Sequence, residues 1–274
     1  MMVLAALGRG FHGASLMALF GSACLLAMLT AKVPELAFEG RGLGRGRRIL
    51  TLLALVSAPV WLIGTPGTMA AVMTTTVGQI LLVRLVLLIL LMGAVWAGWN
   101  RVAAWLAGAA LVAIAATGHA AGASPKGFAF IGAANDGLHL LAAAYWIGGL
   151  SVLVTMLAER PKAARLKEAI VLFAEWGMIT VALLVMSGII NAAMVLLGSR
   201  GHVNLVYAGV LALKILLAFA MIALALTNHF RLLPRLGQEG IAARLRNRTE
   251  WELGLGLAVV GLAALLAQLV PAHQ

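Results

Sequence analysis

The sequence predicts an all-α protein: a polytopic bundle of eight membrane-crossing helices, with both chain ends outside the cytoplasm. Three observations predict it. Hydrophobic residues make up 63% of the 274 residues and charged ones only 11%, where a soluble domain runs near half and a quarter. Apolar runs of bilayer-spanning length, about 20 residues, recur along the whole chain. The basic residues fall in short clusters between alternate runs, as they do in cytoplasmic loops. The net charge of +11 therefore marks an orientation in a membrane rather than a nucleic-acid partner.

The first span is 10–31. It follows Arg9 as a signal peptide would, but it is long enough to cross a bilayer and no persuasive small-residue cleavage site ends it, so it reads as a retained helix. The second, 49–72, contains Pro59 and passes Pro66, which predicts a kink or an early stop. The third is 79–99. The fourth is short, with 16 residues between Arg101 and Gly118, and is extended to 102–120. The rest are 137–158, 169–198, 203–227 and 253–270. No loop is much longer than a helix, so residues 1–274 form one domain. The 31 glycines suit close helix packing in lipid, above all at Gly118-x-x-x-Gly122 and Gly148-Gly149.

The loops then set the orientation. Lys32, Arg41, Arg45, Arg47 and Arg48 follow span 1, and Arg101 follows span 3. Arg160, Lys162, Arg165 and Lys167 follow span 5, and Arg231, Arg235, Arg244, Arg246 and Arg248 follow span 7. The opposite side has only Arg9, Lys126 and Arg200. The positive-inside rule puts the rich side in the cytoplasm.

On that topology His12, His119, His139, His202 and His273 lie at or near the outer ends of spans, and only His229 lies inside. His119 ends span 4 and His139 is about one turn into span 5, so a short loop brings two imidazoles toward one ion. Asp136, three residues before His139, shares its helical face and suits a ligand or an orienting carboxylate. Met69 and Met73 form an i, i+4 thioether pair near the outer end of span 2. Met17, Cys24 and Met28 share a face of helix 1, and Met186 and Met194 sit in the outer half of span 6. Thioether and thiol suit Cu(I), and imidazole suits copper, zinc or iron. Against these stand plainer readings: methionine in an apolar span is usually packing, and one histidine near a helix end is usually an interfacial group. Five on one side weigh against the latter.

Charges inside spans are costly and mark function or internal pairing. Arg84, Glu175 and Lys214 are such charges, read as structural or gating groups, and a Lys214–Glu175 ion pair is expected from their signs and depths. The single cysteine, Cys24, leaves no disulfide within the chain and no CxxC motif. Nucleotide-binding, serine-hydrolase and zinc-protease motifs are absent, so the sequence predicts no enzyme.

The run Asp136-Gly-Leu-His139-Leu-Leu-Ala-Ala-Ala-Tyr-Trp146-Ile-Gly148-Gly149-Leu150 resembles the signature of the copper-resistance D family. Gly118-His119-Ala120 is similar to its GHA motif, and Phe11-His12 through Phe20-Gly21 to its first helix. Thr76-Val-Gly78 is similar to its entry to helix 3, with Val77 in place of an aromatic. Ser187-Gly188-Ile-Ile-Asn191-Ala192 resembles its SGxxNA motif, and Tyr207 and Lys214 fit its Y-x(6)-K spacing. Asn228, Pro234, Glu252 and Pro271 complete the order. The chain departs from the family at Leu172-Phe173-Ala174, where RFS is usual, which puts any role of that arginine or serine in doubt here.

The resemblance implies a bacterial inner-membrane protein with periplasmic termini that binds copper ions. It would move them across the membrane or accept them from a separate periplasmic CopC-like protein. His119 and His139 are the first expected ligands, His12 the third, and Asp136, Met69 and Met73 weaker ones. Two other readings stay open: a b-type haem electron-transfer protein with paired histidine ligands, and a copper-delivery scaffold that transports nothing.

Overall fold

The structure, a computed structural model, describes residues 2–32, 40–64, 76–116, 129–159, 163–199 and 203–269. Among these the chain forms eight α-helices and no strand: α1 Met2–Lys32, α2 Arg41–Gly64, α3 Thr76–Trp96, α4 Asn100–Ala116, α5 Ala129–Glu159, α6 Ala163–Gly198, α7 Leu205–Thr227 and α8 Ile241–Leu266. Helix is the expected outcome, because hydrocarbon offers no partner to a backbone N–H or C=O and each must be satisfied within its own segment.

The helices coincide with the eight apolar runs, but their lengths and chemistry differ from the expectation of eight spans. Six are long and apolar enough to cross a membrane: α1, α3, α5, α6, α7 with its continuation to Arg235, and α8. α4 has 17 residues, about 25 Å at 1.5 Å per residue, short of the ~30 Å hydrocarbon layer. α2 opens with Arg41, Arg45, Arg47 and Arg48 in its first eight residues. Pro59 lies inside α2, which runs on to Gly64; the expected extension to residue 72 falls outside the described residues. α5 starts about two turns before the expected residue 137 and α8 about three turns before 253.

α1 and α5 are the centre. α1 packs against α2, α4, α5, α6 and α8, and α5 against α1, α2, α4, α6 and α8. They cross at Gly21 and Gly148, where a methyl added to Gly148 would lie 2.5 Å from Gly21 Cα and 2.5 Å from Ser22 N. Only glycine permits such a backbone approach. α7 packs substantially only on α8 and on its own continuation. Its outer side chains, among them Leu213 and Leu216, are exposed, as are Leu196 and Leu197 of α6, which suits contact with lipid.

Polar contacts tie the helices together at one end. Lys32 Nζ pairs with Glu168 Oε1 at 2.6 Å, Gly42 N–H donates to Glu159 Oε1 at 2.9 Å, and Arg47 Nη1 donates to Asn100 Oδ1 at 2.7 Å. These contacts bring the end of α1, the starts of α2, α4 and α6, and the end of α5 together. The tight turn between α3 and α4 lies at the same end. It passes through Gly98 at φ 74°, a left-handed conformation that suits glycine. This is the arginine-rich end of the bundle.

Candidate functional site

The opposite half of the bundle holds a cavity of about 530 Å³ walled by α1, α4, α5, α6, α7 and α8. Most of its lining is apolar. The polar exceptions are Arg9, His12, Asp136, His139, Asn191, Tyr207 and Lys214.

One wall is a hydrogen-bonded seam between α5 and α6. Asn135, Asp136 and His139 fall within one turn of α5, and Ser187 and Asn191 are one turn apart on α6, so the two sets face each other. Asn135 Nδ2 donates to Ser187 O at 3.0 Å and to Asn191 Oδ1 at 2.7 Å. Asn191 Nδ2 donates to Asp136 Oδ1 at 2.8 Å. His139 Nδ1 lies 2.8 Å from Ser187 Oγ. The Ser187 hydroxyl hydrogen is directed at Leu183 O, a group that can only accept. His139 Nδ1 therefore carries a proton and donates to Ser187, which leaves the Nε2 lone pair as the ring's coordinating group. Metal-binding histidines are oriented in this way, by a hydrogen bond from the nitrogen that does not coordinate.

Asp136 is the electrostatic focus of the cavity. Arg9 of α1 and Lys214 of α7 both interact with it across the space, and the Tyr207 hydroxyl faces it as well. Asp136 acts on Lys214 through space, with no contact ion pair between them among the described residues. The expected Lys214–Glu175 pair does not form: Glu175 is exposed and interacts with Lys32, toward the arginine-rich end. The sequence reading matched signs and approximate depths, but depth along a helix does not say which face a side chain occupies.

His12 and Arg84 make a second, tighter knot where α1, α2 and α3 meet. His12 Nδ1 lies 2.9 Å from Ala54 O, so it carries the proton and donates. Ser57 Oγ is 3.4 Å from the same nitrogen. Arg84 Nη2 donates to His12 Nε2 at 2.6 Å. His12 is 1% exposed and Arg84 3%. With both ring nitrogens engaged, His12 could ligate a metal only after parting from Arg84. Arg84 does not reach water by extending along its helix; it is held inside by the imidazole.

Of the other expected donors, His119, Met69 and Met73 lie outside the described residues, as do His202 and His273. Met17 and Met194 line the cavity. Met186 points outward at 62% exposure, and Cys24 and Met28 pack against the core, as plain packing residues do. Among the described residues no three His, Cys, Asp or Glu side chains gather as a metal cage. The cavity thus offers an incoming ion one oriented imidazole, one carboxylate and thioethers. Imidazole and thioether are donor types that suit copper, and carboxylate suits harder ions. Two opposed imidazoles with open nitrogens, as a bis-histidine haem would need, are not present among the described residues.

Sequence reasoning missed Arg9, Asn135, Ser187, Asn191 and Tyr207 as site residues. A signal existed in the spacing: Ser187 and Asn191 at i, i+4 in an otherwise apolar span mark a buried helix–helix seam, where polar side chains hydrogen-bond across helices.

The family model for copper resistance protein D matches residues 167–266, a stretch holding Ser187, Asn191 and Lys214. The chain is 32% identical to copper resistance protein D of Pseudomonas syringae pv. tomato, over 81% of this chain and 78% of that protein. It is 29% identical to inner membrane protein YebZ of Escherichia coli (strain K12), over 96% of this chain and 97% of that one. It is also 29% identical to copper transport protein CutJ of Bacillus subtilis (strain 168), where the match covers 54% of this chain and 27% of the relative. No solved structure matches the chain.

Proposed function

The chain belongs to the copper resistance protein D family, and from that premise we propose that its cavity takes copper ions from the periplasmic side and moves them into the membrane. It is a multi-pass bacterial inner-membrane protein. On the proposed topology all eight helices cross the bilayer. Both termini then face the periplasm and the arginine-rich end faces the cytoplasm.

The observation that carries the proposal is His139. Ser187 fixes its tautomer, its Nε2 is left to coordinate, and Asp136 lies one turn away in the same cavity. His119 is proposed as the second imidazole, with Met69 and Met73 as outer thioethers, Met17 and Met194 as inner ones, and His12 as a ligand released from Arg84. Lys214 has a gating role in this scheme. As a tethered cation it neutralises Asp136 when no metal is there and withdraws when an ion with greater affinity for the carboxylate arrives. A separate CopC-like periplasmic protein is the proposed donor of copper.

The test is the metal content and optical spectrum of the purified protein, wild type beside His139→Ala and His119→Ala, followed by copper flux into liposomes. Copper bound stoichiometrically by wild type and lost in both variants, without haem absorbance, is expected. Haem absorbance, or copper retained in both variants, overturns the assignment; binding without flux leaves a delivery scaffold in its place.

A further inference from the structure

A second polar cluster lies toward the arginine-rich end, away from the cavity that holds His139. Where α7 ends, the backbone passes into a π-helical turn, Asn228–Leu232. The extra residue in such a turn re-aims side chains, and π-turns recur at functional sites. Here the turn buries Asn228 at 8% exposure. Facing it from α8 is Glu252, at 3% exposure. Asn228 Nδ2 donates to Glu252 Oε2 at 3.0 Å. The Trp146 indole N–H is directed at the same carboxyl, short of a well-formed hydrogen bond.

Two features of this pair lack a partner among the described residues. No basic side chain among the described residues forms an ion pair with Glu252. Asn228 Oδ1 is buried with no hydrogen-bond donor. Both residues line a cavity of about 80 Å³, larger than the ~30 Å³ share of one water. The Thr249 hydroxyl, also on this cavity, is committed to Leu245 O at 2.8 Å. α5, α6 and α7 present only apolar and indole side chains to it, and His229 is the other titratable group on its lining. The site is rich in acceptors and poor in donors. A bare carboxylate there is strongly disfavoured, whereas the neutral acid brings its own O–H donor to a site where Asn228 Oδ1 lacks one.

We propose that Glu252 is a proton-binding station within the membrane, and that its proton is exchanged against the copper cation passing through the His139 cavity. The second half rests on the transport reading above; the first does not. Trp146, Val181 and Ile222 line both cavities, so a few side chains separate the metal cavity from the proton site. His229 and Leu233 continue the lining toward the arginine-rich end, the side with which Glu252 trades its proton.

Infrared difference spectroscopy on the purified full chain tests the station without copper. Wild type is expected to show the C=O stretch of a protonated carboxylic acid that shifts in D2O and disappears as pH is raised. Glu252→Gln, which mimics the neutral acid and keeps an acceptor for Asn228, is expected to lose that band while keeping the wild-type unfolding temperature. Asp136→Asn is expected to retain it. A spectrum unchanged by Glu252→Gln overturns the proposal. Proteoliposomes loaded with a pH dye test the exchange: copper entry is expected to drive a pH change in wild type and none in Glu252→Gln. Copper flux without a pH change in wild type overturns the exchange. The infrared band without any copper flux overturns the transport reading and leaves Glu252 as a proton site.

Discussion

Replacing Gly148 with alanine should weaken the centre of the bundle. The new methyl would lie 2.5 Å from Gly21 Cα, 2.5 Å from Ser22 N and 2.7 Å from Ala18 O. Carbon atoms pack best at about 3.5–4.0 Å, so the shortfall is at least about 1 Å. All three obstacles are backbone atoms, so no side-chain rotation relieves the clash, and α1 and α5 must separate. Overpacking of this kind costs typically about 1–3 kcal/mol, which corresponds to a fall in unfolding temperature of about 2–12 °C. The control is Gly93→Ala in α3, where a methyl meets nothing within 4 Å. Intrinsic helix propensity there favours alanine, so that variant should be neutral or slightly more stable. The assay is thermal unfolding in one detergent, followed by the monodisperse fraction remaining on size exclusion. Because α1 carries Arg9 and α5 carries Asp136, copper binding should weaken in Gly148→Ala as well. Wild-type stability in Gly148→Ala, or equal losses in the two variants, would refute the close crossing.

Ser187→Ala removes the acceptor that orients His139, and copper affinity measured by competition with a Cu(I) chelator should fall about 10–100-fold, with the fold intact. His12→Phe strands the buried Arg84 donor and should cost on the order of 2–3 kcal/mol; in a cycle with Arg84→Met, the double variant should be more stable than the sum of single losses by at least about 1 kcal/mol. Asp136→Asn leaves Arg9 and Lys214 facing each other across the cavity and should lower the unfolding temperature, while adding Lys214→Met should restore much of it. If adding Lys214→Met gives no recovery, Lys214 has another counter-charge. A periplasm-specific reporter enzyme fused after residue 274 should be active, and one inserted near Arg45 inactive.

Hydropathy made the order of the described helices legible, because most apolar runs are separated from the next by charge, and six of those helices are long and apolar enough to cross a membrane. It misplaced ends where polar residues belong to the helix. α8 begins at Ile241 with Arg244, Arg246, Arg248 and Glu250 in its first turns, and Arg246 Nε pairs with Glu250 Oε1 at 2.7 Å. The expected start at residue 137 cuts α5 short, because Asn135 and Asp136 belong to the helix and bond to α6. His139 and Asp136 stand out in the sequence by their type and spacing, and both line the cavity. The Asp136–Lys214 and His12–Arg84 relations do not stand out there, since they join α5 to α7 and α1 to α3. Which helices neighbour one another is set by packing, at contacts such as Gly21 on Gly148, and no periodicity within one helix encodes it.

α7 carries Lys214 and Tyr207 yet leans substantially on α8 alone. Among the described residues its remaining flank meets no other helix substantially, and in a bilayer that flank is open to acyl chains. On the proposed function, chain length and fluidity of the surrounding lipid then bear on how α7 holds Lys214 opposite Asp136. The choice of detergent or nanodisc lipid is accordingly a chemical variable of the site, and copper affinities measured in two different amphiphiles describe two different vessels.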